Sequence, residues 1–138
     1  MDINFFDNRA DAPRMREDVR ITRTRLEVSP EARRVAVDLE LTPFIERPTI
    51  QLILVNENGG NAGRLTIVET LDRVISVVMH IRDETPTEQY QLRATVYYAS
   101  IDEDMKQQVV DVLTQPFALA AGNVVSYTAP ATDQSNQS

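Results

Sequence analysis

The sequence contains no cysteine and no tryptophan, and it has only one histidine and four glycines. Without cysteine, neither a disulfide nor a thiolate-bound metal holds the fold together. The single histidine, His80, leaves the usual nucleophile–base pairs of hydrolases without their parts. The glycine cluster at 59–63 matches neither a P-loop nor a dinucleotide fingerprint and indicates a turn. We therefore expect a protein that is not an enzyme and that needs no cofactor.

Long apolar runs are absent as well. No stretch approaches the ~18 apolar residues that a membrane-spanning helix needs. The first residues, Met1 to Asn4, lack the basic and apolar regions of a signal peptide. These absences predict a protein without a membrane role and with a cytoplasmic location.

Positive charge is scarce, since 14 basic residues stand against 21 acidic ones for a net charge of −7. Nucleic-acid binding normally requires a basic surface, so we expect no nucleic-acid partner. The arginines are concentrated in the first quarter of the chain, and Lys106 is the one lysine. Such a leading segment is suited to docking on an acidic surface, including that of a second copy.

What the sequence does have is alternation of apolar and polar residues, which is typical of strands with one buried face. With 138 residues and 42% apolar content, one domain with a real core is expected. Turn residues separate the alternating segments, and Pro116 marks an edge or a bulge. The predicted strands are 19–28, 35–41, 49–56, 64–70, 74–82, 89–100 and 108–119. Seven strands without helices predict an all-β fold, an antiparallel two-sheet sandwich.

The two ends of the chain show neither the alternation of a strand nor the apolar spacing of a helix. We predict an N-terminal arm at 1–18, a sandwich domain at 19–120 and a flexible polar tail at 121–138.

One local pattern sharpens the fold prediction. The segment TPTEQYQLRA at 85–94 resembles the approach to the sixth strand of immunoglobulin-like and fibronectin type III domains. The resemblance implies that Tyr90 is buried and that its hydroxyl bonds the backbone a few residues upstream, between Ile81 and Thr87. The chain lacks the tryptophan and the cysteines of those families, so the resemblance implies an architecture and no activity.

The resemblance also implies a strand order, in which the second strand lies between the first and the fifth. Charged side chains on the outer face of that sheet would then form a positive–negative–positive stripe. Its predicted members are Arg23 and Arg25, then Asp38 and Glu40, then His80 and Arg82.

Acidic residues are plentiful in the loops. The loops at 29–34, 56–63 and 83–88 are predicted to share one end of the sandwich, and those at 42–48, 70–73 and 100–107 the other. Oxygen-rich loops of this kind bind calcium in some sandwiches, although none here has EF-hand spacing and solvated acidic loops are common. The calcium candidates are Asp72, Asp102, Glu103 and Asp104.

The third strand is apolar on both faces, although a two-layer sandwich buries only one. We assign Ile50, Leu52 and Leu54 to the core, which leaves Ile53 and Val55 outside. Tyr97 and either Val109 or Leu113 should join them, with a rim of Gln51, Arg93 and Asp111. The cover would be the arm through Phe5 and Phe6, a second subunit, or a local segment of the domain. The predicted interaction residues are Ile53, Val55, Tyr97, Phe5 and Phe6.

These patterns favour a non-enzymatic protein-interaction or structural module, whose partner is another protein or a second copy. The alternative is a sandwich that binds calcium or a carbohydrate through its acidic end loops.

Overall fold

A computed structural model describes residues 12–99 and 107–130. It confirms an all-β antiparallel sandwich of two sheets, preceded by a single turn of 3-10 helix at Arg16–Asp18. The strands are β1 (Ile21–Val28), β2 (Arg34–Leu41), β3 (Thr49–Val55), β4 (Asn61–Ile67), β5 (Val74–His80), β6 (Gln89–Ala99), β7 (Gln107–Ala118) and β8 (Val124–Thr128).

Each sheet has four strands. The first sheet has the order β5-β2-β1-β8, and the second has the order β4-β3-β6-β7. As predicted, β2 lies between β1 and β5, while β6 and β7 follow β3 in the other sheet. The arrangement is compatible with an immunoglobulin-like or fibronectin type III-like architecture.

The core forms where the inward faces of the two sheets meet. The inward residues of β2, which include Val35, Val37 and Leu41, are completely buried. Ile50, Leu52 and Leu54 of β3 are equally buried, which confirms the inward assignment of this row. Alternation thus decides which face of each strand enters the core, because successive side chains point to opposite faces.

The eighth strand corrects the predicted domain boundary. β8 lies within the segment 121–138 that was predicted to be a flexible tail, yet it pairs antiparallel with β1. The sandwich therefore continues past residue 120 to Thr128. Val125 and Tyr127 are half-buried and alternate with exposed neighbours, a period-2 signal that the polar residues after Thr128 obscured.

The seventh strand forms as predicted, and its position at the edge of the sheet explains why Pro116 is tolerated. β7 is a strand throughout Gln107–Ala118 and forms the outer edge of its sheet. Pro116 is tolerated there because an edge strand leaves half of its N–H groups unpaired. The register with β6 shifts between Val96 and Tyr97, where β7 carries one extra residue, Val110.

The two sheets approach each other closely at one corner. The N–H of Arg82 donates to the carbonyl oxygen of Ala62 at 2.8 Å, so the chain after β5 contacts the start of β4. A Cβ atom on Gly63 would lie only 2.9 Å from the carbonyl oxygen of His80. Glycine at 63 is therefore required by the close approach of two backbones.

The predicted tyrosine corner is confirmed. Tyr90 is 2% exposed, and its ring stacks on Phe117 with centroids 6.0 Å apart. The N–H of Thr87 donates to the Tyr90 hydroxyl oxygen at 3.2 Å, and the hydroxyl donates to the Asp83 carboxylate at 2.7 Å. Burial, and then the hydrogen bond to Asp83, raises the pKa of Tyr90 above its usual value. This corner ties the loop before β6 to the core.

Replacing Tyr90 by phenylalanine should lower the free energy of unfolding by about 1–2 kcal/mol, because the N–H of Thr87 and the Asp83 carboxylate lose a partner. Urea denaturation measures the loss. Tyr127→Phe, on the peripheral strand β8, serves as the control and should change stability by less than about 0.5 kcal/mol. Equal effects of the two substitutions would contradict a structural role of the corner.

Gly63→Ala should destabilise the protein by about 1–3 kcal/mol, because the new methyl group must displace backbone at His80. The exposed position Thr66 lies on the same strand, and Thr66→Ala should change stability by no more than about 0.5 kcal/mol. Thermal unfolding of both variants checks the comparison. If Gly63→Ala unfolds at the same temperature as the wild type, the close approach of Gly63 to the His80 backbone does not restrict this position.

Candidate functional site

The outer surface of the second sheet collects the interaction residues predicted from β3 and β6. Ile53 and Val55 of β3 and Tyr97 of β6 are half-buried and lie on the same face. We call this surface the Ile53 face and define it by six outward side chains. They are Ile53, Val55, Arg64, Arg93, Tyr97 and Val109.

Strand register fixes which side chains are neighbours on this face. Ile53 lies directly between Arg64 of β4 and Arg93 of β6. Tyr97 lies opposite Val109, whereas Leu113 lies opposite Ala94 and packs against the core. Val109 is thus the outward residue of the two candidates, and it is 52% exposed.

The prediction that Asp111 belongs to the rim is wrong. The extra residue in β7 brings Asp111 opposite the buried Val96. Its carboxylate accepts a hydrogen bond from the N–H of Ile21 at 2.8 Å, so it joins β7 to the start of β1 in the other sheet. The bulge could not be read from the sequence, because the alternation of β7 is weak.

The Ile53 face carries positive charge without a compensating carboxylate. Within the described part of the chain, neither Arg64 nor Arg93 forms an ion pair. The cross-strand row through them is Arg64, Ile53, Arg93 and Thr114, and the next row is Thr66, Gln51, Thr95 and Val112. Both rows lack acidic residues, although the chain has a net charge of −7.

The outer face of the first sheet differs because its charges are paired. Arg23 contacts Glu40 at 3.1 Å, and Arg73 contacts the same carboxylate at 3.3 Å. The Ser76 hydroxyl donates to Asp38 at 2.7 Å. Cross-strand ion pairs of this kind contribute little stability, but they neutralise part of the charge on this face.

The predicted charge stripe on that face is correct in two rows and wrong in the third. Arg23 and Arg25 lie opposite Glu40 and Asp38, respectively. On the far side, however, Ser76 faces Asp38, and exposed His80 faces Arg34. The sequence correctly predicted that His80 points outward, but it did not predict the register of β5 against β2. That register depends on the connection between the strands.

The described part of the arm docks beside one end of the Ile53 face. Arg16 donates two hydrogen bonds to the Glu46 carboxylate, at 2.9 and 2.8 Å, and a third to the Gln108 side chain at 3.0 Å. Its guanidinium carbon also lies 4.6 Å from the centre of the Tyr98 ring. The Tyr98 hydroxyl donates to the backbone carbonyl of Glu46 at 2.9 Å. The arginine-bearing segment thus binds an acidic residue of its own domain.

This docking shifts the acid–base properties of the residues involved. The hydrogen bond with Glu46 raises the pKa of Arg16, and the same hydrogen bond lowers the pKa of Glu46 below its usual 4.5. Burial, and then the nearby Glu46 charge, raises the pKa of Tyr98 to about 12. A cleft of about 640 Å³ opens next to these side chains, and its lining includes Ile45, Val68 and Tyr97.

At the end of the sandwich opposite Arg16, acidic side chains of the loops form hydrogen bonds within the protein. Glu57 accepts hydrogen bonds from the N–H groups of Glu88 and Gln89, at 3.2 and 2.9 Å. Asp83 accepts from the Asn56 amide and from Tyr90. The loops at 56–63 and 83–88 therefore meet as predicted, and these two carboxylates brace them.

The calcium candidates are not brought together in the described residues. Asp72 is exposed, while Asp102, Glu103 and Asp104 lie outside the described ranges, as do Phe5 and Phe6. Across 12–99 and 107–130, no group of three or more histidine, aspartate or glutamate side chains has the arrangement of a metal site. Calcium binding stays a prediction.

Two further findings bear on the class of protein. Within the described ranges, no helix has the length and apolar character needed to cross a membrane. No protein-family model matches the chain, and no curated protein matches it either.

Arg16→Ala should lower the urea midpoint more than Arg23→Ala does, because Arg16 is 17% exposed and has several partners, whereas Arg23 is 59% exposed with one. The contribution of Glu46 is present above its usual pKa and is lost as the pH falls through the lowered value. The stability gap between the wild type and Arg16→Ala should therefore narrow below about pH 4. A gap that does not change with pH would contradict this coupling.

Proposed function

We propose that this protein is a non-enzymatic interaction module with an immunoglobulin-like or fibronectin III-like sandwich, and that it binds a partner protein through the Ile53 face. The observation that carries the proposal is the row Arg64–Ile53–Arg93, an apolar centre between two arginines that have no carboxylate partner among the described residues. The cytoplasmic location expected from the sequence stays a prediction.

The chemistry of this row defines the partner. Neighbouring strands lie about 4.8 Å apart, so the two arginines are about 10 Å apart at the backbone. Each guanidinium binds a carboxylate through two parallel hydrogen bonds, and Ile53 between them offers apolar contact. A partner with an apolar side chain between two acidic ones fits this row. The acidic partner would be steered to this face, because the rows around Ile53 are the ones without negative charge.

The remaining side chains of the face support the same reading. Arginine and tyrosine are enriched in protein interfaces, and the exposed Val109 and Val112 extend the apolar area along β7. Isolated apolar residues on a surface need no explanation, but Val109 lies opposite Tyr97 across the β6–β7 pair, and Val112 lies in the next outward row. By contrast, Glu57 and Asp83 bond to neighbouring loops, so these two carboxylates do not favour a calcium or carbohydrate site at their end of the sandwich.

Ile53→Glu tests the proposal, because it places a charge in the apolar centre without a change in the core row of β3. Val124→Glu is the matched control, since Val124 is 44% exposed on the other sheet. The wild type and both variants are used to capture proteins from cells of the source organism. A captured protein is then purified and titrated by calorimetry. We expect at least a tenfold loss of affinity for Ile53→Glu and no loss for Val124→Glu.

Reversing the charge of the two arginines provides a second test of the proposal. Arg64→Glu with Arg93→Glu should weaken the same complex at least tenfold and reverse its dependence on salt. Equal capture by the wild type and Ile53→Glu, including no capture by either, would overturn the proposal. Unfolding of Ile53→Glu would assign this face to the core instead. If deletion of residues 1–11 increases partner binding, the arm covers the face in the free protein.

A further inference from the structure

The edge of β5 lacks the features that protect the other edges of the described sheets. β7 contains Pro116, β8 has five residues, and β4 contains Arg64 and a register shift opposite β3. From Val74 to Met79, β5 has no charge, no proline and an unbroken register with β2. Regular, uncharged edge strands pair readily with other strands.

Backbone contacts among residues 12–99 and 107–130 show which groups of β5 have no partner there. The carbonyl of Arg73 accepts from the N–H of Leu41, and the N–H of Ile81 donates to the carbonyl of Arg33, both at 2.8 Å. The odd-numbered residues therefore bond to β2. Because bonding direction alternates along an antiparallel strand, the even-numbered residues direct their N–H and C=O groups to the open edge. These residues are Val74, Ser76 and Val78.

Apolar side chains accompany these backbone groups. Val74 is 52% exposed and Val78 is 54% exposed on the outer side of the edge strand. Leu71, just before the strand, is 74% exposed. At the other end the N–H of Arg82 is already bonded to Ala62, so the open part of the edge ends near His80.

We propose that β5 pairs antiparallel with β5 of a second copy of this chain, around a two-fold axis at Ser76. In this register Val74 lies opposite Val78 of the second copy, and Ser76 lies opposite its own counterpart. The three outward-facing residues of each strand form about six backbone hydrogen bonds. The two four-stranded sheets become one continuous sheet, and the interface is isologous.

Self-complementarity favours a second copy over an unrelated strand. The same register brings His80 opposite Asp72 of the second copy, and both residues are exposed in the monomer. An axis at Val78 would bring Val74 opposite Arg82, and an axis at Val74 would bring Val78 opposite Thr70. Only the axis at Ser76 pairs the exposed valines with each other and a histidine with a carboxylate.

The small area that the two β5 strands bury limits the affinity of the dimer. A strand pair of this length buries less surface than a standard protein interface, so the dimer should be reversible and should depend on concentration. It uses the opposite sheet from the Ile53 face, so both surfaces can be occupied together. The proposal does not depend on the proposed function.

The absence of cysteine makes a direct test simple, because an introduced cysteine is the only thiol. Opposed residues of a hydrogen-bonded pair have Cα atoms about 5.5 Å apart, which is within disulfide range. Under mild oxidation, Ser76→Cys should form a covalent dimer at least tenfold faster than Val112→Cys. Val112 is 51% exposed on the other sheet and serves as the control. Circular dichroism checks that both variants are folded.

Sedimentation equilibrium of the cysteine-free chain gives an independent measurement. The wild type should dimerise reversibly, and Val78→Lys should weaken the dimer at least tenfold, whereas Val112→Lys should leave it unchanged. A wild type that stays monomeric up to millimolar concentration would overturn the proposal, as would equal cross-linking rates of the two cysteine variants. Ile53→Glu should leave the dimer intact, so failure of this proposal and failure of the Ile53 face are distinguishable.

Discussion

In a two-layer sandwich each sheet buries only one face, and this constraint governs the surface of the protein. The inward rows of β2 and β3 are fully buried, so a binding surface must come from the outer faces, the edges or the end loops. On the first sheet, ion pairs such as Arg23–Glu40 neutralise the outer face. The outer face of the second sheet and the edge of β5 lack comparable protection. The two sheets therefore offer different surfaces to a partner, because their exposed side chains and edges differ.

The sequence was sufficient where a short-range rule decides the structure. Strict alternation assigned Ile50, Leu52 and Leu54 to the core and Ile53 to the outside, because side chains alternate along any strand. Tyr90 was placed correctly because the local pattern at 85–94 resembles the corner of immunoglobulin-like and fibronectin type III domains, and its backbone partner, Thr87, lies only three residues away. The strand order around β2 followed from the resemblance that this corner supports. These features depend on few residues and short distances along the chain.

The sequence was insufficient where distant segments decide the structure. The bond between Asp111 and the backbone of Ile21 depends on a bulge in β7 and on the packing of β7 against β1 of the other sheet. The docking of Arg16 on Glu46 and Tyr98 joins segments that only the fold brings together. The loops at 56–63 and 83–88 were predicted to share one end, but the hydrogen bonds of Glu57 and Asp83 that join them were not. The Ile53 face was predicted with Tyr97 and Arg93, whereas the second flanking arginine, Arg64, became apparent only from the register of β3 with β4.

The position of β8 has a consequence for the order in which the protein forms during synthesis. β8 pairs with β1, although every other strand lies between them in the chain. A growing chain can therefore complete the second sheet and the β1–β2–β5 pairing while the edge of β1 is still open. Contacts between such distant segments form late and slowly, and open strand edges are prone to aggregation in that interval. The edge of β1 therefore stays exposed on nascent chains until β8 has been synthesised.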